Sequence, residues 1–189
     1  MLDKDKLDLY RSVLEKAVGQ KESIEKTVAE ITKKKKISNV YLVGAGGSLA
    51  VMYPCKYVME LNSSLRVEAY TPSEFLAMKP KNLSENSLVI LSSYTGKTPE
   101  TVEAAEYVRS LGAPTIGFVG IAETPLGEAV DYVFANKADE GTTDSKLIML
   151  YQIMFNLLRQ LENYKKYDEF VKSIEALPGA LVGVRQKVE

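Results

Sequence analysis

Residues 40–48 read VYLVGAGGS, and this stretch decides the fold. Val40 to Val43 is a β-branched and aromatic run, Gly44, Gly46 and Gly47 make a tight turn, and apolar residues from Leu49 to Leu61 return at helical spacing. A strand, a glycine turn and a helix are therefore expected. The same unit recurs downstream. Leu65 to Tyr70 reads as a strand, and Thr71, Pro72 and Glu74 then supply an N-cap, a first-turn proline and a capping-box acid for a short helix. Ser87 to Ser92 is a buried-type strand, and after the loop Ser93 to Lys97 a helix opens at Thr98 and Pro99 and runs through Leu111. Pro114 to Val119 and Tyr132 to Ala135 are two further strands, with a short helix near Leu126 to Ala129 between them. A longer helix is expected from about Thr143 to Glu162, with Leu147, Leu150, Tyr151, Met154, Leu157, Leu158 and Leu161 on its apolar side. Strands alternating with helices require right-handed crossovers. The fold class is thus α/β, a three-layer α/β/α sandwich on a five-stranded parallel sheet, for which the common order 2-1-3-4-5 is expected.

The flanks are helical. From Lys4 to about Lys36 the residues Leu7, Leu9, Val13, Leu14, Val18, Ile24, Val28 and Ile31 form an apolar stripe, divided at Gly19 into two helices, and Lys33 to Lys36 is a solvated helix end. In the tail, Phe170, Ile174 and Leu177 suggest one helix, Pro178 and Gly179 a break, and Leu181, Val182, Val184 and Val188 a second amphipathic segment. The expected division is a helical extension over 1–36, a ligand-binding α/β domain over 37–164 and a helical tail or linker over 165–189. The apolar faces of the N-terminal helices and of Leu181 to Val188 exceed what one small sheet needs to cover, so association into a dimer is expected.

Composition narrows the function. The chain has 189 residues, 24 Lys and Arg against 25 Asp and Glu, and a formal net charge of -1. No bulk positive field exists to hold nucleic acid or an anionic membrane. Without a single histidine, neither a Ser-His-Asp or Cys-His site nor His-ligated zinc can be assembled from this chain alone, and no metal or cofactor is expected. Cys55 is the only cysteine, so there is no internal disulfide, and its place midway along an apolar helix reads as a small core residue rather than a nucleophile. The charged N-terminus and the lack of any apolar stretch of about 18 residues show neither a signal peptide nor a membrane span, and a cytoplasmic location is expected.

Chemistry concentrates in two loops. In an open α/β sheet the ligand sits beyond the carboxyl ends of the strands, where the winding reverses. With order 2-1-3-4-5 that point lies between the first and third strands, whose loops are GAGGS (Gly44 to Ser48) and SSYTGKT (Ser92 to Thr98). Both run into helix N-termini, where orphan N–H groups attract an anion and hydroxyls add donors. A phosphate is expected on Ser48, Ser93, Thr95 and Thr98 and on the amides of Gly46, Gly47 and Gly96; the alternative is that Ser48 and Thr98 only cap helices and the glycines only make turns. A dinucleotide fingerprint is broken at Leu49, although Glu68 stands where a ribose-binding acid would be, and a Walker loop is broken at Leu91 and Pro99. A third segment, KADEGTTDSK (Lys137 to Lys146), follows the fifth strand at the same edge. There Glu140 is a candidate general base with Lys146 as its charge partner, or else this is an exposed acidic loop with Thr143 or Asp144 as a helix cap.

At these residues the sequence resembles the sugar isomerase (SIS) domain family over roughly residues 37–164. The turn after the first strand reads GAGGS where the family has GxGGS or GCGTS, and Ser93 to Thr98 matches S-x-S-G-x-T, with Thr95 for the usual serine and Lys97 where glutamate or asparagine is common. The stretches GAGGSLAVMYPCKYVMEL, TPSEFLAMKPKNL and SYTGKTPETVEAA look like the amino-terminal half of two-SIS proteins, above all fructoselysine 6-phosphate deglycases and more distantly the isomerase part of glucosamine-6-phosphate synthase. The resemblance implies a sugar phosphate ligand of the 1-amino-1-deoxy-ketose 6-phosphate class. It also implies a glutamate that moves a proton between C1 and C2, and a histidine supplied by a second SIS half. This chain is thus expected to be the phosphosugar-binding part of a deglycase or aldose-ketose isomerase, completed by a homodimer partner or a second SIS domain. The alternative is a non-enzymatic sugar-phosphate-sensing module of a regulator.

Overall fold

The structure, a computed structural model, describes residues 4–188. Two helices, α1 (Lys4–Gly19) and α2 (Lys21–Lys34), precede a sheet of five parallel strands: β1 (Asn39–Gly44), β2 (Arg66–Tyr70), β3 (Ser87–Ser92), β4 (Thr115–Val119) and β5 (Tyr132–Ala135). Their order is β2-β1-β3-β4-β5, as expected from the chain. The switch of winding lies between β1 and β3, which pair from Asn39↔Ser87 to Gly44↔Ser92. β1, β3 and β4 are buried along their whole length, which is why they read as continuous apolar runs rather than alternating ones.

Alternate strand residues face opposite layers. Val40, Leu42, Leu88, Ile90, Ile116 and Phe118 pack beneath α1, α2, α8 (Thr142–Glu162) and α9 (Tyr167–Val188), with α4 (Tyr53–Asn62) beside them. Tyr41, Val43, Val89 and Leu91 face α5 (Pro72–Met78), α6 (Pro99–Ser110) and α7 (Pro125–Ala129). α5 carries the expected capping box, with the Glu74 amide donating to the Thr71 hydroxyl and the Thr71 amide to the Glu74 carboxylate. Among the described residues no helix is long and apolar enough to cross a membrane.

Two expectations are corrected. The segment Leu49 to Leu61 is not one helix: a short α3 (Gly47–Ala50) ends first, and α4 restarts with Pro54 in its first turn, where a missing N–H costs nothing. Conversely, Pro178 and Gly179 do not break the tail, because α9 is continuous through them. Pro178 gives up a single helical hydrogen bond. The helix is held across that gap by Ile174, Val182 and the partly buried Leu177 and Leu181, and at its start by a Phe155–Phe170 stack with centroids 4.0 Å apart.

Much of the apolar surface of the flanks is covered inside the chain, although Leu9 and Val184 stay 42% and 58% exposed. Leu7, Tyr10, Val13, Leu14, Ala17, Ile24, Val28, Ile31 and Val182 are all buried, mostly against the long α8. α8 has apolar residues on more than one side, so it serves the sheet and the flanking helices at once.

Candidate functional site

The pairing of Gly44 with Ser92 makes the two glycine- and hydroxyl-rich loops leave adjacent strands at the same level, on one edge of the sheet. Between them lies a cleft of about 340 Å³ lined by Ala45, Gly47, Ser48, Val51, Tyr94, Thr142, Thr143 and Lys146. The first loop contributes its open end. Gly46 has φ +54°, which favours glycine, and the Gly46 and Gly47 amides are exposed with no acceptor among the described residues.

Neither hydroxyl suspected of capping does so. Thr98 makes no side-chain cap bond and pairs instead with the buried Ser93 hydroxyl at 2.9 Å, while Thr95 stands 3.4 Å from Ser93. The Gly96 amide is spent on the Ser93 carbonyl, and Gly96, at φ +63°, packs so close to Thr124 that a Cβ would lie 2.1 Å from its hydroxyl oxygen. Thr95 lines a neighbouring cleft of about 370 Å³ with Lys97, Ile121, Glu123 and Lys137, and Tyr94 is the wall shared by the two.

The feature that sequence reading placed differently is Lys146. Its ammonium reaches Ser48, 98 residues away, donating to the hydroxyl oxygen at 3.1 Å. Lys146 is only 8% exposed, and burial pushes its ammonium down from 10.5 to about 8. No carboxylate forms an ion pair with it among the described residues. Its expected partner, Glu140, instead accepts from Arg185 at 3.1 Å. Glu140 lies in a separate cleft with Tyr10, Asp144, Leu181 and Arg185, which meets the central one at Thr142 and Thr143. The signal for Lys146 was present in the chain: a lysine in register with Leu150, Ile153 and Leu157 on the buried side of a helix has to answer to something.

The loop bearing these residues is tied down from both sides. Tyr94 donates to the Ala138 carbonyl at 2.8 Å, and Tyr10 donates to Asp144 at 2.8 Å. Gly141, at φ +69°, sits as the N-cap of α8, and neither Thr143 nor Asp144 takes that role. Glu68 is engaged by Arg66 and by the Tyr70 hydroxyl, which leaves it committed within its own strand. Cys55 is fully buried and its thiol is pushed up to about 12, as a core residue should be.

What the site offers is one buried cation, a set of hydroxyls and two open amides at the switch point of a parallel sheet, a combination suited to a compact anion. Known proteins share the frame. The SIS domain family model matches residues 30–164. The fructosamine deglycase FrlB of Bacillus subtilis is 40% identical over 148 residues, covering 77% of this chain and 45% of the relative. The fructoselysine 6-phosphate deglycase of Escherichia coli K12 is 27% identical over 188 residues, covering 96% of this chain and 55% of the relative. A solved structure from Salmonella typhimurium LT2, described provisionally as a phosphosugar isomerase, superposes with a TM-score of 0.81 at 35% identity over 89% of this chain and 52% of that one. This chain spans about half the length of the relatives it matches. A parallel sheet of order 2-1-3-4-5 and a family match running from the second helix to the end of α8 lead to one conclusion: the chain belongs to the SIS domain family.

Proposed function

We propose that this chain is the phosphosugar-binding SIS unit of an aminoketose 6-phosphate deglycase or a related aldose-ketose isomerase, and that catalysis needs a second SIS unit. The observation that carries the reading is Lys146, a buried ammonium with no carboxylate ion-paired to it among the described residues, aimed at Ser48 in the cleft between the two loops. Burying an unpaired charge is costly, and a phosphate in the cleft would supply the missing counter-charge. In this reading the dianion rests on Lys146, Ser48 and the Gly46 and Gly47 amides, with Thr95 and the Ser93–Thr98 pair at its side. The phosphate then anchors the sugar along the loop edge.

The chain's own candidate for proton transfer between C1 and C2 is Glu140. Its bond to Arg185 holds it on the far side of Thr142 and Thr143, so it reaches the sugar when that bond opens. No histidine is available to assist hydrolysis of the resulting imine, and that task falls to the second unit. The kinship with the fructosamine and fructoselysine 6-phosphate deglycases supports this substrate class.

The test is a calorimetric titration with glucose 6-phosphate, fructose 6-phosphate, glucose and ATP. Both sugar phosphates are expected to bind, glucose to give no heat, and ATP not to compete. Binding of ATP with no response to either sugar phosphate would refute the proposal.

A further inference from the structure

Beside the anion cleft lies a second one to which the proposed function gives no role. It holds about 370 Å³, and its walls come from the turns that follow β3, β4 and β5: Tyr94, Thr95 and Lys97 from the first, Ile121 and Glu123 from the second, Lys137 from the third. Tyr94 divides it from the anion cleft. That partition is fixed. Its hydroxyl donates to the Ala138 carbonyl at 2.8 Å and accepts from the Ala138 amide at 3.3 Å, and its carbonyl accepts from the Gly120 amide at 2.8 Å. Gly120 packs so close that a Cβ there would stand 3.0 Å from a ring carbon of Tyr94. Both clefts are therefore formed before any ligand arrives.

The lining of the second cleft is one-sided in charge. Neither Lys97 nor Lys137 forms an ion pair with a carboxylate among the described residues, and Glu123, the one carboxylate of the lining, pairs with neither. Apolar surface comes from the Tyr94 ring and from the exposed Ile121. We infer that this cleft receives the substituent carried on C1 of the sugar phosphate, and that the substituent is a carbon stem ending in a carboxylate; the inference rests on the phosphosugar reading given above. The phosphate sits on C6, at the opposite end of the sugar from C1, so a ligand anchored by its phosphate in the first cleft directs its C1 substituent away from the anchor and across Tyr94. There the stem covers the Tyr94 ring and Ile121, and the carboxylate meets Lys97 and Lys137. A neutral amine would leave both ammonium groups unanswered. Lysines on flexible stems act as point charges rather than as a planar fork, so they tolerate stems of different length while still selecting for the charge. Lys97 and Lys137 are in this way specificity-determining residues that touch no part of the phosphate.

The experiment compares two 1-amino-1-deoxyhexitol 6-phosphates, one made with 5-aminopentanoate and one with pentylamine, so that they differ in a terminal carboxylate against a terminal methyl. Lacking the C2 carbonyl, neither can react. Calorimetry on the native chain should show the carboxylate probe binding ~3–10-fold tighter than the methyl probe, and this preference should shrink in high salt, because exposed charges are screened. Lys97→Met and Lys137→Met should each cut the preference, and the two together should abolish it while the methyl probe still binds. Glu123→Gln removes the one repulsive charge and should raise the preference, a change of opposite sign that a merely structural role would not produce. Equal affinity of the two probes for the native chain, or a preference that survives the double lysine variant, overturns the inference. Glucose 6-phosphate, which carries no substituent on C1, keeps the two readings apart. If it binds and the probes are not distinguished, the second cleft alone loses its role; if it does not bind and the carboxylate is still preferred through Lys97 and Lys137, the phosphosugar reading alone falls; if nothing binds, both fall.

Discussion

Replacing Lys146 by methionine should make the protein more stable and less able to bind its ligand. With the ammonium pushed from 10.5 to about 8 by burial, the folded chain binds fewer protons than the unfolded one between those two values. Stability therefore rises with pH across that window, and the full cost of the buried charge is present below about pH 8. A displacement of that size corresponds to about 3 kcal/mol, an upper bound because Lys146 keeps one hydrogen bond to Ser48. Lys146→Met removes the charge at nearly constant volume, and should raise stability at pH 7 by roughly 1–3 kcal/mol, seen as a shift of some ~2–10 °C in melting temperature. The same change deletes a charged hydrogen bond to the phosphate, about 1.5–3 kcal/mol or ~10–100-fold in affinity for glucose 6-phosphate. The native protein adds a pH signature. The phosphate is already a dianion above about pH 6, so the affinity should be flat near pH 7 and fall as the lysine deprotonates above about pH 8, by up to ~10-fold per pH unit. Isothermal calorimetry of both proteins at pH 7 and pH 9 makes the comparison. A variant that is less stable at pH 7 and binds as tightly as the native chain, or a native affinity that ignores pH, would refute the reasoning.

Other substitutions test the loops and the core. Ser93→Ala combined with Thr95→Ala should weaken glucose 6-phosphate binding by at most a few kcal/mol, allowing about 1.5–3 kcal/mol per charged hydrogen bond and incomplete additivity; unchanged affinity in the titration would clear both hydroxyls of a role. Gly96→Ala meets both a left-handed φ and the Thr124 side chain, whereas Gly112→Ala has φ +70° but only Glu85 at 3.9 Å. Urea denaturation should show the first costing roughly 2–4 kcal/mol and the second about 1 kcal/mol, and equal costs would argue against the clash. Cys55, buried and with its thiol near 12, should not react with a disulfide reagent at pH 8 until the protein unfolds, so rapid labelling of the native chain would contradict its placement.

The sheet was legible because its central strands β1, β3 and β4 are short runs buried along their whole length, and each following turn carries glycine, proline or a capping hydroxyl. The capping box at Thr71 and Glu74 was readable to the residue, since every part of it lies within four positions. Where reading failed, the deciding contact was remote. Pro178 looked like a break because proline disfavours a helix locally, and packing of Ile174, Leu177 and Val182 on distant elements outweighs that one bond. The N-terminal helices α1 and α2 looked unpartnered because their partner, α8, follows them by more than a hundred residues.

By itself the chain determined the α/β class and the placing of GAGGS and SYTGKT at the carboxyl edge of a parallel sheet, for which 2-1-3-4-5 is a common order. All of these depend on period, turn chemistry and chirality, which are local or generic. Only the tertiary structure decided that Lys146 belongs to Ser48, that Glu140 belongs to Arg185, and that Tyr53, Tyr57 and Leu61 stand exposed on α4. Partner choice among charges and the covering of a helix face are set by which side chains arrive at the same place in space, and that is a property of the whole packed core rather than of any stretch of sequence.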